Sequence, residues 1–81
     1  ISIAEEEIEF SVYPNPATEV ITVKTDLTDG IFELYDMTGR RVMRFAILNA
    51  TTRVDVSDLA SGTYYYRVTG AHQKDGKLFI E

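Results

Sequence analysis

Thr63-Tyr64-Tyr65-Tyr66-Arg67-Val68-Thr69 decides the fold. Aromatic and β-branched residues suit a pleated, half-buried surface. Period-two alternation puts Tyr64, Tyr66 and Val68 on one face and Tyr65, Arg67 and Thr69 on the other. The three consecutive tyrosines therefore make no single three-ring platform. Tyr64, two residues after Gly62, reads as a core or corner tyrosine.

The same alternation extends in both directions. Downstream, residues 70–76 are predicted to be a polar hairpin loop carrying Asp75-Gly76, and residues 77–81 a last strand with Leu78 and Ile80 inward. Upstream, residues 57–62 form a turn that buries Leu59 as a plug. Before it come a strand over 52–56 with Val54 and Val56 inward, a loop over 48–51, and a strand over 40–46 with Val42 on the buried side. Met37-Thr38-Gly39 is a turn in which Gly39 supplies a positive φ. Residues 31–36 alternate, with Phe32 and Leu34 opposite Glu33 and Tyr35. Asp29-Gly30 is a hairpin signal. Residues 19–25 are a strand with Ile21 and Val23 toward the core, and residues 10–13 a first short strand. Between those two, Pro14 and Pro16 fix their own φ near −65° and push Tyr13 and Asn15 toward extended backbone. About seven short strands at regular spacing predict an all-β fold, a sandwich of two antiparallel sheets.

Composition sets the class. The chain has 81 residues, 44% apolar and 26% charged, with no Cys. That is one domain. A domain of this size hides only about 60% of the surface its unfolded chain exposes. The net charge of −5 argues against nucleic acid as a partner, since phosphate contacts need clustered Lys and Arg. No segment is long and apolar enough to span a bilayer as a helix, so no stable membrane insertion is expected. Glu5, Glu6, Glu7 and Glu9 crowd residues 1–9, which read as an acidic linker or edge segment ahead of a domain over 10–81. The chain starts at Ile1 without Met and reads as part of a longer protein.

Single residues offer little to a catalyst. His72 is the lone His and reads as a solvated loop residue. Asp26, Asp29, Asp36, Asp55, Asp58 and Asp75 all lie near turns and read as turn formers; calcium needs several oxygens converging on one point. Ser57 and Ser61 lack a neighbouring His to activate a nucleophile. Asn49-Ala50-Thr51 matches a glycosylation sequon, a short and common motif. Neither a catalytic residue, a metal nor a cofactor is expected. Tyr35 and Tyr65 can share an exposed face, which leaves a ligand-binding option. Arg40, Arg41, Arg44 and Arg67 can cluster across neighbouring strands. Pairing with local Glu and Asp competes there with contact to a protein partner or an anionic glycan.

Three blocks, taken together, carry a resemblance. They are Tyr13-Pro14-Asn15-Pro16-Ala17 leading into Val20-Ile21-Thr22-Val23; Phe32-Glu33-Leu34-Tyr35-Asp36-Met37-Thr38-Gly39-Arg40-Arg41-Val42; and Val54 to Val68, closing with Gly76-Lys77-Leu78-Phe79-Ile80-Glu81. Their order and spacing resemble the C-terminal sorting domain of the type IX secretion system of Bacteroidetes, over about residues 10–81. The resemblance implies an immunoglobulin-like β-sandwich that directs a larger cargo protein on the same chain. The cargo would be exported through the periplasm, cross an outer-membrane translocon, and reach the cell surface or the medium. A surface cysteine peptidase of the gingipain-like, sortase-like class would remove the domain afterwards, cutting within or upstream of residues 1–10. The domain would be substrate there, and not an enzyme. The sorting-motif residues so implied are Tyr13, Pro14, Asn15, Pro16, Asp36, Gly39, Leu59, Gly62, Tyr64, Gly76, Lys77, Leu78, Phe79, Ile80 and Glu81. Members of the family commonly end in a basic residue; this chain ends in Glu81, with Lys74 and Lys77 nearby.

A sandwich has edge strands, and a partner can add a strand to one. The segment 77–81 is expected to be such an edge, or to lie beside one. The alternative reading is a carbohydrate-binding or adhesive β-sandwich attached to an extracellular enzyme.

Overall fold

Seven strands carry the chain: β1 (Phe10–Tyr13), β2 (Val20–Thr25), β3 (Ile31–Tyr35), β4 (Arg41–Ala46), β5 (Thr51–Asp55), β6 (Gly62–Thr69) and β7 (Lys74–Ile80). The computed structural model describes residues 10–26, 29–70 and 73–81; the acidic segment 1–9 and His72 lie outside them. Two sheets form, in the orders β1-β2-β5 and β4-β3-β6-β7. Every ladder is antiparallel. Strands distant in sequence pair (β2 with β5, β3 with β6), which gives the two-sheet antiparallel sandwich expected from the strand pattern, with the Greek-key, immunoglobulin-like connections that the resemblance implied.

Alternation places the core. Ile21 and Val23 from β2, Phe32 and Leu34 from β3, Val54 from β5, Tyr64 and Val68 from β6, and Leu78 and Ile80 from β7 are buried in one cluster. Aromatic rings tie the layers together: Phe32 stacks on Phe45 at 4.9 Å and on Tyr66 at 6.0 Å. Phe10, from the opposite sheet, meets Tyr66 at 5.6 Å. Such pairs add about 0.5–1.5 kcal/mol beyond the area they bury.

The structure corrects three expectations. Asp29-Gly30 is not a hairpin turn: the strands on either side of it, β2 and β3, belong to different sheets. Asp75-Gly76 is not a turn either. Both residues are inside β7, where Asp75 faces Arg67 and Gly76 faces Tyr66, because the β6–β7 ladder runs further than the polar residues suggested. Val42 is half-buried and packs on the core, on the side expected for it, at the point where the β3–β4 register slips between Leu34 and Tyr35. Met43 and Phe45 are the β4 side chains that oppose Leu34 and Phe32 and pack on the core. Finally, β5 starts and ends one residue early, at Thr51 and Asp55. Ile47, just past β4, is fully buried, its N–H donating to the carbonyl of Gly30 at 2.8 Å.

Candidate functional site

Strand direction collects the motif residues. β1 ends, β2 begins, β3 ends, β4 begins, β5 ends, β6 begins and β7 ends at the same pole of the sandwich. This follows from the pairings Tyr13 with Thr22, Val20 with Asp55, Tyr35 with Arg41 and Tyr65, and Gly62 with Ile80. The three sequence blocks thus meet at one end, although they lie dozens of residues apart along the chain.

The Pro-Asn-Pro segment bridges the two sheets there. Neither Pro14 nor Pro16 has an N–H to offer. Asn15 supplies one from its side chain: Nδ2 donates to the carbonyl of Lys77 at 3.0 Å. Its Oδ1 accepts from the N–H of Phe79, also at 3.0 Å. A carboxamide holds a donor and an acceptor in the geometry of a peptide group, so Asn15 pairs with β7 as one more strand residue would. Ala17 continues the pairing. Its N–H donates to the carbonyl of Phe79 at 2.7 Å, and its carbonyl accepts from Glu81 at 2.8 Å. Ala17 makes an isolated parallel bridge to Ile80 and is fully buried. The chain then rejoins the first sheet, where Glu19 accepts from the N–H of Val56 at 2.7 Å. Both X–Pro peptide bonds in this turn are cis.

The segment 77–80 is at a sheet edge as expected, but its outward groups are not unpaired. From the carbonyl of Lys77 to the N–H of Glu81 they are taken by residues 15–17 of the same chain. Covering an edge in this way guards against unwanted strand pairing.

The second block makes the β3–β4 hairpin. The carboxylate of Asp36 accepts from the N–H and hydroxyl of Thr38, at 2.9 and 2.6 Å, and from the N–H of Arg40 at 3.0 Å. These bonds, the Thr38 hydroxyl foremost, hold the Asp36 carboxyl below the usual carboxylate range against a weaker opposing effect of burial. Gly39 stands at φ +88°, where a side chain would be strained. In the third block Asp55 accepts from the N–H and hydroxyl of Ser57, and these bonds, the hydroxyl first, hold its carboxyl below the usual carboxylate range in the same way. Leu59 is half-buried and packs on the core, as a plug does. The Tyr64 hydroxyl donates to the carbonyl of Ala60 at 2.6 Å, a tyrosine corner at the start of β6.

The second and third blocks share a groove of about 480 Å³, with Asp36, Thr38 and Arg40 on one wall and Leu59, Ala60 and Tyr64 on the other. Tyr13 is exposed beside the Pro-Asn-Pro turn, and Phe79 is exposed on β7. Leu78 and Ile80 are core residues. Gly76 and Lys77 lie further along β7, away from the pole. Asp55 is a turn former as expected, through its bonds to Ser57; the bridging role of Ala17, a residue of the first block, was not expected. The Asp-x-Ser spacing was a usable signal for the turn; the bridge made by Ala17 depends on the bend that precedes it.

Among the described residues no three His, Cys, Asp or Glu side chains converge on a point. Three carboxylates pair with arginines: Arg41 and Arg44 reach Glu33 at 3.1 and 3.9 Å, Arg67 reaches Asp75 at 3.3 Å, and Arg40 reaches Asp36 at 3.6 Å. The arginines named in the sequence are therefore paired locally. The Arg41 hydrogen bond also holds the Glu33 carboxyl below its ordinary range.

A search of the curated proteins finds no match to the chain. A family model described as the secretion system C-terminal sorting domain matches residues 11–81, from β1 to the last residue. The match spans both sheets, the Pro-Asn-Pro turn and the β7 edge it covers. The chain belongs to this family, whose members are the C-terminal sorting signals that direct proteins to the cell surface or outside by type IX secretion.

Proposed function

We propose that residues 10–81 work as a folded, non-catalytic address, read at the pole where the three blocks meet, with residues 1–9 as the linker to the cargo. The observation that carries this reading is the clasp of Asn15 and Ala17 on β7. It unites the first and last motifs of the domain, so the address exists only in the folded state. Tyr13, Pro14, Asn15 and Pro16, with Phe79 and Glu81, form one part of the recognised surface; Asp36, Gly39, Leu59 and Gly62 form the other. Tyr64, Leu78, Ile80 and Gly76 serve by holding the fold, and Lys77 by anchoring Asn15 through its carbonyl.

The partners in this reading are an outer-membrane translocon, reached through the periplasm, and a surface cysteine peptidase that cuts in or upstream of residues 1–10. A linker ahead of the first strand is where a peptidase can work without unfolding the sandwich. The test is a secreted reporter fused upstream of residues 1–81 in a host with type IX secretion. Export should require the translocon, and Asn15→Ala should lower it. Equal surface release from a translocon-deficient host would overturn the proposal.

A further inference from the structure

The outer face of the four-stranded sheet differs from the rest of the molecule in charge. Arg41, Arg44, Arg67 and Lys77 project there with only Glu33 and Asp75 for balance. Four of the chain's eight Lys and Arg thus share a face with two of its thirteen Asp and Glu, on a chain of net charge −5. Two aromatic rings lie among these cations. Tyr35 and Tyr65 are direct cross-strand partners on β3 and β6, and Tyr65 is 40% exposed. The Lys77 ammonium sits 6.0 Å above the Tyr65 ring. A groove of about 430 Å³ runs past Tyr35, Tyr65, Arg67, Lys77 and the paired Asp75, and a second of about 350 Å³ continues it from Tyr35 past Asp36, whose carboxylate is taken up by Thr38 and Arg40, toward Met37.

We propose that this face binds an acidic polysaccharide, with sugar rings stacked on Tyr35 and Tyr65 and acidic groups paired with Arg67 and Lys77. Charge selects an anion. The groove's direction selects a sugar over a peptide. It crosses β7, β6 and β3, and the backbone groups of β6 and β3 are already paired on both sides. An extended peptide satisfies its own backbone by adding at a sheet edge, which this face does not offer. A sugar needs no such ladder: its apolar ring face covers an aromatic ring, and its hydroxyls remain in water. Arg67 spends only its Nε on Asp75, and that pair is about half exposed on both sides. An exposed pair of this kind is worth little, so the guanidinium is available for a bidentate grip on a ligand's acidic group. This site is independent of the sorting reading.

The test uses residues 1–81 and calorimetric titration with oligogalacturonate, chondroitin sulfate and phosphomannan fragments, which carry carboxylate, sulfate and phosphate. Fully methyl-esterified oligogalacturonate and polyglutamate serve as controls. At least one acidic glycan should bind, and the esterified one should not. Tyr65→Ser and Arg67→Gln should each weaken binding about tenfold while leaving the melting curve in place. Absence of binding by all three acidic glycans would overturn the proposal. So would polyglutamate binding that matches the glycans and ignores Tyr65→Ser, which would make the face a plain cationic patch for acidic peptides.

Discussion

The ring of Tyr66 occupies the space in which a side chain at position 76 would stand. Tyr66 and Gly76 are directly paired on β6 and β7, and a Cβ built on Gly76 would overlap the hydroxyl end of that ring. The same ring touches Phe10 and Phe32 on its other contacts. Gly76 is therefore the residue that lets a partly buried tyrosine lie across an edge strand and join the two sheets.

Gly76→Ala should lower stability by about 1–3 kcal/mol, the usual cost of forcing atoms into a filled space. Tyr66→Leu, which empties that space, should make the alanine nearly harmless. Urea denaturation of the two single variants and the double variant gives the coupling. Additive effects would show that the ring does not set the requirement for glycine.

Asn15→Ala deletes one donor and one acceptor on β7, and should cost about 1–2 kcal/mol for two hydrogen bonds at a solvent-exposed edge. The local readout is sharper. The amide of Phe79 should exchange with solvent much faster, while amides in the middle of β6 keep their protection. Unchanged exchange at Phe79 would mean that the Asn15 side chain does not hold the edge.

Tyr64→Phe removes only the hydroxyl that donates to the Ala60 carbonyl. Core volume stays the same, so the loss should be about 1 kcal/mol, the net worth of one such bond. The thermal midpoint should fall by several degrees, on the order of 4–8 °C for a domain of 60–100 residues. An unshifted midpoint would contradict a structural role for the corner.

The carboxyls of Glu33, Asp36 and Asp55 all sit below their ordinary range, through hydrogen bonds from Arg41, Thr38 and Ser57 respectively. A folded-state pKa depressed below the unfolded one means that the unfolded chain takes up protons first as the pH falls. The stability these groups add is present above the unfolded carboxyl range of roughly 3.9–4.3. It is lost as the pH drops through and below that range. Urea midpoints should be flat from about pH 7 to 5 and decline toward pH 3. Asp36→Asn with Asp55→Asn should flatten that decline. At the alkaline end Tyr66 acts in the opposite sense. Burial first, and then the Asp75 charge, push its phenol above the usual value. Stability should therefore fall as the pH rises past about 10, where tyrosines of the unfolded chain ionise.

Short-range physics settled much of this protein. Period-two alternation at Ile21 and Val23, Phe32 and Leu34, and Tyr64 and Val68 named the buried face of each strand, because a pleated chain that buries one side must alternate. The Asp36–Gly39 turn was equally legible, since an Asp that bonds its own backbone and a glycine at positive φ are local devices. Tyr64 was placed in the core by parity alone.

Tertiary pairing decided the rest. Asp29-Gly30 and Asp75-Gly76 carry the same dipeptide, yet one separates strands of different sheets and the other lies inside β7. No local rule separates them; the partner strand does. The Pro-Asn-Pro segment showed in sequence as a stiff turn, but its bonds run to residues 62 and 64 positions away. Which edge it covers depends on β7 lying in the opposite sheet beside the end of β1. The sequence by itself determined which face of each strand is buried and the turn at Asp36–Gly39, because those preferences act over a few residues. Only the packed sandwich decided which strands are neighbours, and so that three separated motifs share one pole, because that choice is made by burying two sheets against each other.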